Sequence, residues 1–412
     1  MDNTNIVKPV SVTTTLLIMG VAFAAIAIAI DGFKAMMPLV SAEFGLSSAQ
    51  AGFYATFFYI SGVALAIFSG QIADKIGPRK GLIGAVGVIG TLMFLHTIVP
   101  YYPLMLGLAF FTGVAFSVVT PSLNKGIIEM VHPSKRATSN GIVHAGASFG
   151  GIIASYLLPV IGEGLGWRVG VFFAVGFALF VVLVLIRTYQ PINNNGDKSG
   201  APRNNKGQLK EVVRNPLIWI VAIMGIVVGL SVGNITIHYT LFLTGDLAFT
   251  ASTAGFFLAL FNAGGILGNP LFGYINDRFL NSNRRVALFG LSTGIGVLYL
   301  VMGGVIIQGV QPGIMLGLFS FVLGMFAFAI IGMLFTTLGD VAGARLMGTA
   351  TAIILISIRL TMVIAPPLVG YLADVSGSYA LSWLTSAVAV VTIAGIFMVL
   401  TIPHKDMLRR TS

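Results

Sequence analysis

The chain has 412 residues, of which 56% are hydrophobic and only 9% charged, and it carries a net charge of +10. A soluble domain carries about 25% charged residues, so this composition excludes a water-soluble globular protein and calls for a lipid solvent. The basic excess does not signal nucleic acid, because the lysines and arginines fall in short segments between apolar stretches; the absence of cysteine excludes a disulfide framework and thiolate metal sites.

About 20 consecutive apolar residues cross a bilayer as a helix. The first such stretch, 13–40, is too long for a signal-peptide core and lacks a small-residue cleavage site, so it reads as a retained helix. Further spans are predicted at 47–70, 81–99, 103–125, 139–161 and 168–187, then at 216–242, 251–274, 285–307, 313–338, 346–372 and 379–403. The polar gap Thr188–Asn215 contains Asn-Asn-Asn-Gly-Asp-Lys and Pro-Arg-Asn-Asn-Lys-Gly, a composition that builds no core and reads as a flexible linker. The predicted organisation is an all-α membrane protein of twelve spans: a six-helix bundle over 1–187, a linker over 188–215 and a second six-helix bundle over 216–412.

Twelve spans put both termini on one side. That side collects Lys8, Lys75, Arg79, Lys80, Lys135, Arg136, the basic linker, Arg278, Arg284, Arg285, Arg345, Lys405, Arg409 and Arg410. The other side has Arg168, with Lys34 near that end of the first span, and the acidic Glu43, Glu163 and Asp246. The positive-inside rule then makes the termini and linker cytoplasmic.

The segment after the second span reads Gly70-Gln-Ile-Ala-Asp74-Lys75-Ile-Gly77-Pro-Arg79-Lys80, and the segment after the eighth reads Gly273-Tyr-Ile-Asn-Asp277-Arg278. Gly70 and Gly273 are 203 residues apart, as are Asp74 and Asp277, and Lys75 and Arg278, so the second half repeats the first. Physically this is a latch. Gly70 admits a close helix neighbour, Asp74 pairs with a basic residue or a helix N-terminus when that side is closed, and Lys75, Arg79 and Lys80 anchor the topology.

With Gly70, Asp74, Lys75, Gly77, Arg79 and Lys80 in place, the sequence resembles the major facilitator superfamily, whose signature between its second and third helices is Gly-x-x-x-Asp-(Arg/Lys)-x-Gly-x-(Arg/Lys)-(Arg/Lys). The resemblance covers the whole chain; the second copy, at Gly273, Asp277 and Arg278, is degenerate after Arg278. Thr120-Pro121-Ser122-Leu123-Asn124-Lys125, Gly146 to Gly151 with Pro159, and Gly166-Trp167-Arg168 resemble bacterial organic-anion carriers. The resemblance implies a monomeric multi-pass transporter of the bacterial inner membrane with no cofactor and no metal. No nucleophile motif, metal-ligand spacing or Gly-x4-Gly-Lys-Ser/Thr loop suggests an enzyme or an ATP-driven pump.

Ionisable residues at membrane depth are functional candidates by default. Arg359 lies midway along the eleventh span and cannot lose its charge. It therefore calls for an acid such as Asp31, a wet cavity or an anionic substrate, and is assigned to carboxylate binding. Asp31 and Lys34 share a face of the first helix at i, i+3 spacing. Asp31 is the candidate proton carrier and Lys34 a second anion contact, against the plainer reading of two solvated rim residues. Ser231, Asn234 and His238 form a polar stripe on the seventh helix, and Asn262 sits mid-eighth. Asn234, Asn262, Tyr54 and His238 complete the substrate candidates; His238 and His144 are the further proton carriers. Phe57 and Phe58 are aromatic cavity candidates, and His96 and His132 are expected at solvated edges.

The expected function is secondary transport of a small organic anion, coupled to protons or to a counter-anion. Proton-coupled efflux of amphipathic compounds is the alternative, and a transporter-like sensor that moves nothing is a third reading.

Overall fold

The computed structural model describes residues 11–65, 71–73, 75–189, 205–307 and 315–404. Lys8, Gly70, Asp74, residues 190–204, Lys405, Arg409 and Arg410 lie outside them. Among the described residues the chain is all helical, and eleven helices are long and apolar enough to cross a membrane. A further helix, Ser48–Ala64, has 17 residues and stops next to the undescribed segment that begins at residue 66.

Helix α1 runs Val12–Ala35, its N-terminus capped by the Ser11 hydroxyl, which accepts from the Thr14 amide. The expected single span 13–40 is broken at Met36. Pro38 has no N–H to donate to the turn before it, and the chain restarts as the short helix Met37–Phe44. Helix α2 is Ser48–Ala64, opened by a capping box between Ser47 and Gln50. Then come α3 (Pro78–Ile98), α4 (Tyr102–Met130), α5 (Arg136–Leu165) and α6 (Trp167–Thr188).

The expected linker is only partly irregular, because Asn205–Arg214 is a helix. It buries Val212 against the second half, and Glu211 pairs with Arg345. Helix α7 (Pro216–Gly245) contains a π turn at Gly229–Gly233. Helices α8 (Ala251–Phe279), α9 (Arg284–Ile307), α10 (Met315–Gly343), α11 (Arg345–Ser376) and α12 (Ala380–Leu400) complete the chain. Gly343, at φ 64°, makes the turn between α10 and α11.

The buried side chains form two clusters. One is built from residues 16–189 with Ile237 added, the other from residues 212–397 with Ala35 added. Ile237 of α7 and Ala35 of α1 thus cross into each other's halves where the two helices meet.

Two further seams join the halves at the end away from the termini, here called the distal end. Helices α2 and α11 approach so closely that a Cβ on Gly52 would lie 2.6 Å from the Pro366 backbone. Helices α5 and α8 meet where Gly255 lies against Ser155 and Pro159. At the other end a Cβ on Gly273 of α8 or Gly348 of α11 would meet nothing within 4 Å.

Candidate functional site

Between the halves lies a cavity of about 230 Å³. Helix α1 lines it with Phe23, Asp31 and Lys34, α2 with Phe58 and Tyr59, and α4 with Phe116. Ser155 of α5, Thr236 of α7, Asn262 of α8 and Phe328 of α10 close the remaining walls. Asp31 and Lys34, the candidate proton carrier and second anion contact, both line it.

Lys34 is only 3% exposed. Its Nζ donates to Asp31 Oδ1 at 3.2 Å and to the Tyr59 hydroxyl at 3.4 Å, and stands 4.9 Å from the Phe58 ring centre and 5.3 Å from that of Tyr59. Two aromatic faces and one carboxylate therefore hold a desolvated cation. The carboxylate is the more open partner, with a side chain 39% exposed. Across the cavity, Asn262 Nδ2 donates to Ser155 Oγ at 3.0 Å. Asn262 and Asp31 Oδ2 both lie within 4 Å of the position a Cβ on Gly151 would take, so the amide and the carboxylate converge over one glycine.

Arg359, assigned to the cavity wall by its depth in the sequence, is placed instead on the α2–α11 seam. Its Nη1 donates to the Gly62 carbonyl at 2.6 Å. Gly62 belongs to the last described turn of α2. The seam has further rungs toward the distal end: Thr56 donates to the Val363 carbonyl at 2.6 Å, Gly52 lies on Pro366, and the Asp374 carboxylate accepts from Ser48 and Ala49. Among the described residues Arg359 is the rung nearest the termini. Tyr59, which accepts from Lys34, lies one turn before Gly62 on the same helix.

The polar stripe of α7 faces away from the cavity. Val232 and Thr236 line the cavity, and Asn234 lies two residues from each, about 200° around the helix. His238 is fully buried in the second half: Nε2 donates to the Pro366 carbonyl at 2.7 Å and Nδ1 accepts from the Tyr379 hydroxyl at 3.1 Å. The carbonyl, which can only accept, fixes this assignment of the ring. Asn234 is fully buried with neither amide atom hydrogen-bonded. It follows the π turn, whose Leu230 and Ser231 carbonyls accept from the Tyr299 hydroxyl.

Tyr54 is likewise placed in the first half's interior, where its hydroxyl meets His96 Nε2 at 3.3 Å and its ring packs on Phe33. His96, expected at a solvated edge, is buried, and its Nδ1 donates to the Leu92 carbonyl. His144 is half-buried with its edge on Phe23, a cavity-lining ring. Phe57 is exposed on the outer face of α2.

Of the repeated motif, Lys75 and Lys80 are exposed, and Gly77 opens α3 at φ 79°. Arg79 donates to the Ile186 carbonyl at 2.7 Å, tying α3 to the end of α6. In the second copy Arg278 is exposed, and Asp277 accepts from Asn276, Ser282 and Arg284. Arg284, counted among the basic residues of the termini side, is buried and also donates to Asp340 at 3.2 Å. These pairings stay within the second half.

Tyr59, Ser155, Thr236 and Asp374 were not singled out from the sequence. A tyrosine in an apolar run has a hydroxyl that needs a partner, which was a usable signal for Tyr59. Ser155 and Thr236, short hydroxyls inside helices, gave none.

The Major Facilitator Superfamily family model matches residues 17–366 and 222–411. The "Probable sulfoacetate transporter SauU" of Cupriavidus necator is 24% identical over 397 residues, 90% of this chain and 90% of that protein. The "Membrane sensor protein UhpC" of Salmonella typhimurium is 25% identical over 296 residues, 65% of this chain and 66% of that one. Among solved structures, a bacterial homologue of the human lysosomal transporter Spinster, in an inward-facing and occupied conformation, shares 15% identity with a TM-score of 0.74 over 97% of each chain. The nucleoside transporter NupG shares 12% with a TM-score of 0.71, over 96% of this chain and 99% of that one.

Proposed function

The chain belongs to the major facilitator superfamily, and from that premise we propose that it is a secondary transporter for a small organic anion, a carboxylate or related oxyanion, working by alternating access of its two halves. The observation that carries the anion is Lys34. An ammonium this buried is costly unless an anion accompanies it, and here the accompanying carboxylate is solvent-accessible and free to exchange. An incoming oxyanion takes the Lys34 ammonium, with Asn262 and Ser155 as hydrogen-bonding partners across the cavity. Asp31, released from that cation, is the candidate coupling group if the anion moves in symport. Exchange of one anion for another needs only Lys34 and is the variant of this cycle without Asp31. The name of the Cupriavidus necator relative, a sulfoacetate transporter, supports an organic anion as cargo.

In this reading the termini are cytoplasmic, as the positive-inside rule indicates. With the distal seams in contact, the arrangement is read as the cytoplasm-open one, and Arg359 marks a point where the α2–α11 seam must part for the other side to open. The test is uptake and binding in proteoliposomes against a panel of small carboxylates, sulfonates and phosphates that includes sulfoacetate. Lys34→Gln is expected to abolish anion stabilisation and uptake. Arg359→Gln is expected to lower uptake while leaving binding in place. Unchanged uptake in Lys34→Gln sinks the proposal.

A second reading, proton-coupled efflux of an amphipathic compound, draws on the rings of Phe23, Phe58, Phe116 and Phe328 in the cavity wall. Thermal stabilisation by hydrophobic cations and not by carboxylates selects it. Binding without transport selects a sensor.

A further inference from the structure

The distal ends of the two seams carry the same device twice. Helix α2 begins at the Ser47 cap and α8 at the Thr250 cap, 203 residues later, the same offset that relates the repeated motif. In each case the cap hydroxyl accepts an amide of the first turn, Gln50 in one and Thr253 in the other. That leaves the amides between them, Ser48 and Ala49 in α2 and Ser252 in α8, pointing out of the helix with no intrahelical acceptor.

An acid from the opposite half fills each nest. Asp374, at the end of α11, accepts from Ser48 at 2.7 Å and from Ala49 at 2.9 Å, one oxygen to each. Glu163, at the end of α5, accepts from Ser252 at 2.8 Å. Each contact puts a carboxylate on the positive end of a helix dipole, across the interface that separates the halves. Neither acid ends its own helix in a way that requires this partner. Both bonds exist only while the distal ends are together.

We propose that Asp374 and Glu163 are positioning residues of the transport cycle: two carboxylate latches, one per seam, that hold the distal gate shut. Opening that gate exposes both nests and both acids to water, so the latches bias the equilibrium toward closure without locking it. Because the two halves move as bodies, the latches act on one equilibrium. Their free energies therefore add, and their effects on the open-to-closed ratio multiply, although they lie on different helix pairs. The inference needs only that the chain is a transporter of this fold and is independent of what the cavity binds.

The sequence contains no cysteine, so spin labels on Ala42→Cys and Val375→Cys attach only there. Both positions are exposed, at the distal end of the first and second half respectively. Electron–electron double resonance of the substrate-free protein in nanodiscs then reads the populations of the short, closed distance and the long, open one. Asp374→Asn or Glu163→Gln is expected to raise the open-to-closed ratio about two- to fivefold each, the range of an exposed charge at a helix N-terminus. The double variant should raise it by about the product, and Asp374→Glu with Glu163→Asp should keep the parental distribution. Both acids are exposed, so the variants fold, and a melting curve verifies this. An unchanged distribution in the double amide variant overturns the proposal. So does an equal shift in the charge-conserving variant, since that makes side-chain size and not charge the cause.

Discussion

The Asp31–Lys34 pair predicts an asymmetry between its two members. At 3.2 Å, with an effective dielectric constant of about 20, two unit charges attract by about 5 kcal/mol. Water on the Asp31 side screens this to about 2–3 kcal/mol. In Asp31→Asn the Lys34 ammonium stays buried and loses that attraction, keeping only the Tyr59 hydroxyl and two ring faces. The expected destabilisation is about 2–3 kcal/mol, because a buried charge without its partner is the costly outcome. In Lys34→Met the surviving charge is Asp31, which is 39% exposed and rehydrates, while the methionine fills the space against Phe58 and Tyr59. The expected change is within about 1 kcal/mol of zero. The double variant should recover most of what Asp31→Asn loses. Melting temperatures of the four proteins in one detergent test this, with anion uptake as a second readout, lost in both variants that lack the lysine. If Lys34→Met proves as destabilising as Asp31→Asn, the pair is not a desolvated cation served by an open carboxylate, and the anion site built on it falls.

Three further outcomes follow from the geometry. Gly52→Val puts branched carbons where the Pro366 backbone stands, 2.6 Å from the first of them; the α2–α11 seam cannot close, and transport should stop while each half stays folded, as limited proteolysis can show. His238→Gln, which loses the paired contacts to Pro366 and Tyr379, should cost about 1–3 kcal/mol of stability and leave the pH profile of uptake in place; a profile displaced by a unit or more would reinstate His238 as the proton carrier. Glu43, outside the spans, is held below its ordinary carboxylate range, first by its hydrogen bond from Arg168 and further by that from Trp167. A depressed acid stabilises above its unfolded pKa and loses that contribution as pH falls through its folded value. Melting curves of the parent and Glu43→Gln should therefore differ near neutral pH and converge only as pH falls through the lowered folded value, by a small margin because both partners are partly exposed.

The fold was legible because lipid imposes a coarse rule: each crossing needs an apolar run, and the runs and their charged ends can be counted. The same rule blurs where a span is interrupted. Met36 breaks the first span because of Pro38, a local effect that hydropathy averages away. The helix Asn205–Arg214 was hidden in a polar gap because its stability comes from Val212 and from Glu211 meeting Arg345, contacts with a distant part of the chain. Residues of the repeated motif were recognised from spacing, but their partners were not. Arg284 entered only as one of the basic residues that orient the chain, and it is a buried bridge between Asp277 and Asp340.

At the site, hydropathy gives a residue's depth and not its direction around the helix. Arg359 and Lys34 are both cations in apolar surroundings, and depth ranked Arg359 first because it lies nearer the middle of its span. The structure separates them by direction. Lys34 points into the cavity, whereas Arg359 points across a seam at a carbonyl in the last described turn of α2. Their different partners suit different tasks. A carboxylate partner competes with an anionic ligand, so Lys34 responds to what enters the cavity. A backbone carbonyl competes with nothing the cavity takes up, and it is lost only when α2 and α11 separate, so Arg359 responds to the position of the halves. Tyr59 accepts from Lys34 and lies one turn before Gly62, whose carbonyl Arg359 meets, which makes it a physical route by which occupancy at one can be felt at the other. Tyr59→Phe keeps the ring under Lys34 and removes the hydroxyl. It is expected to leave anion binding within about threefold while slowing transport about tenfold or more, a split that equilibrium binding and uptake rates measure on one preparation. Equal losses in both would make Tyr59 an ordinary binding residue and leave the two cations uncoupled.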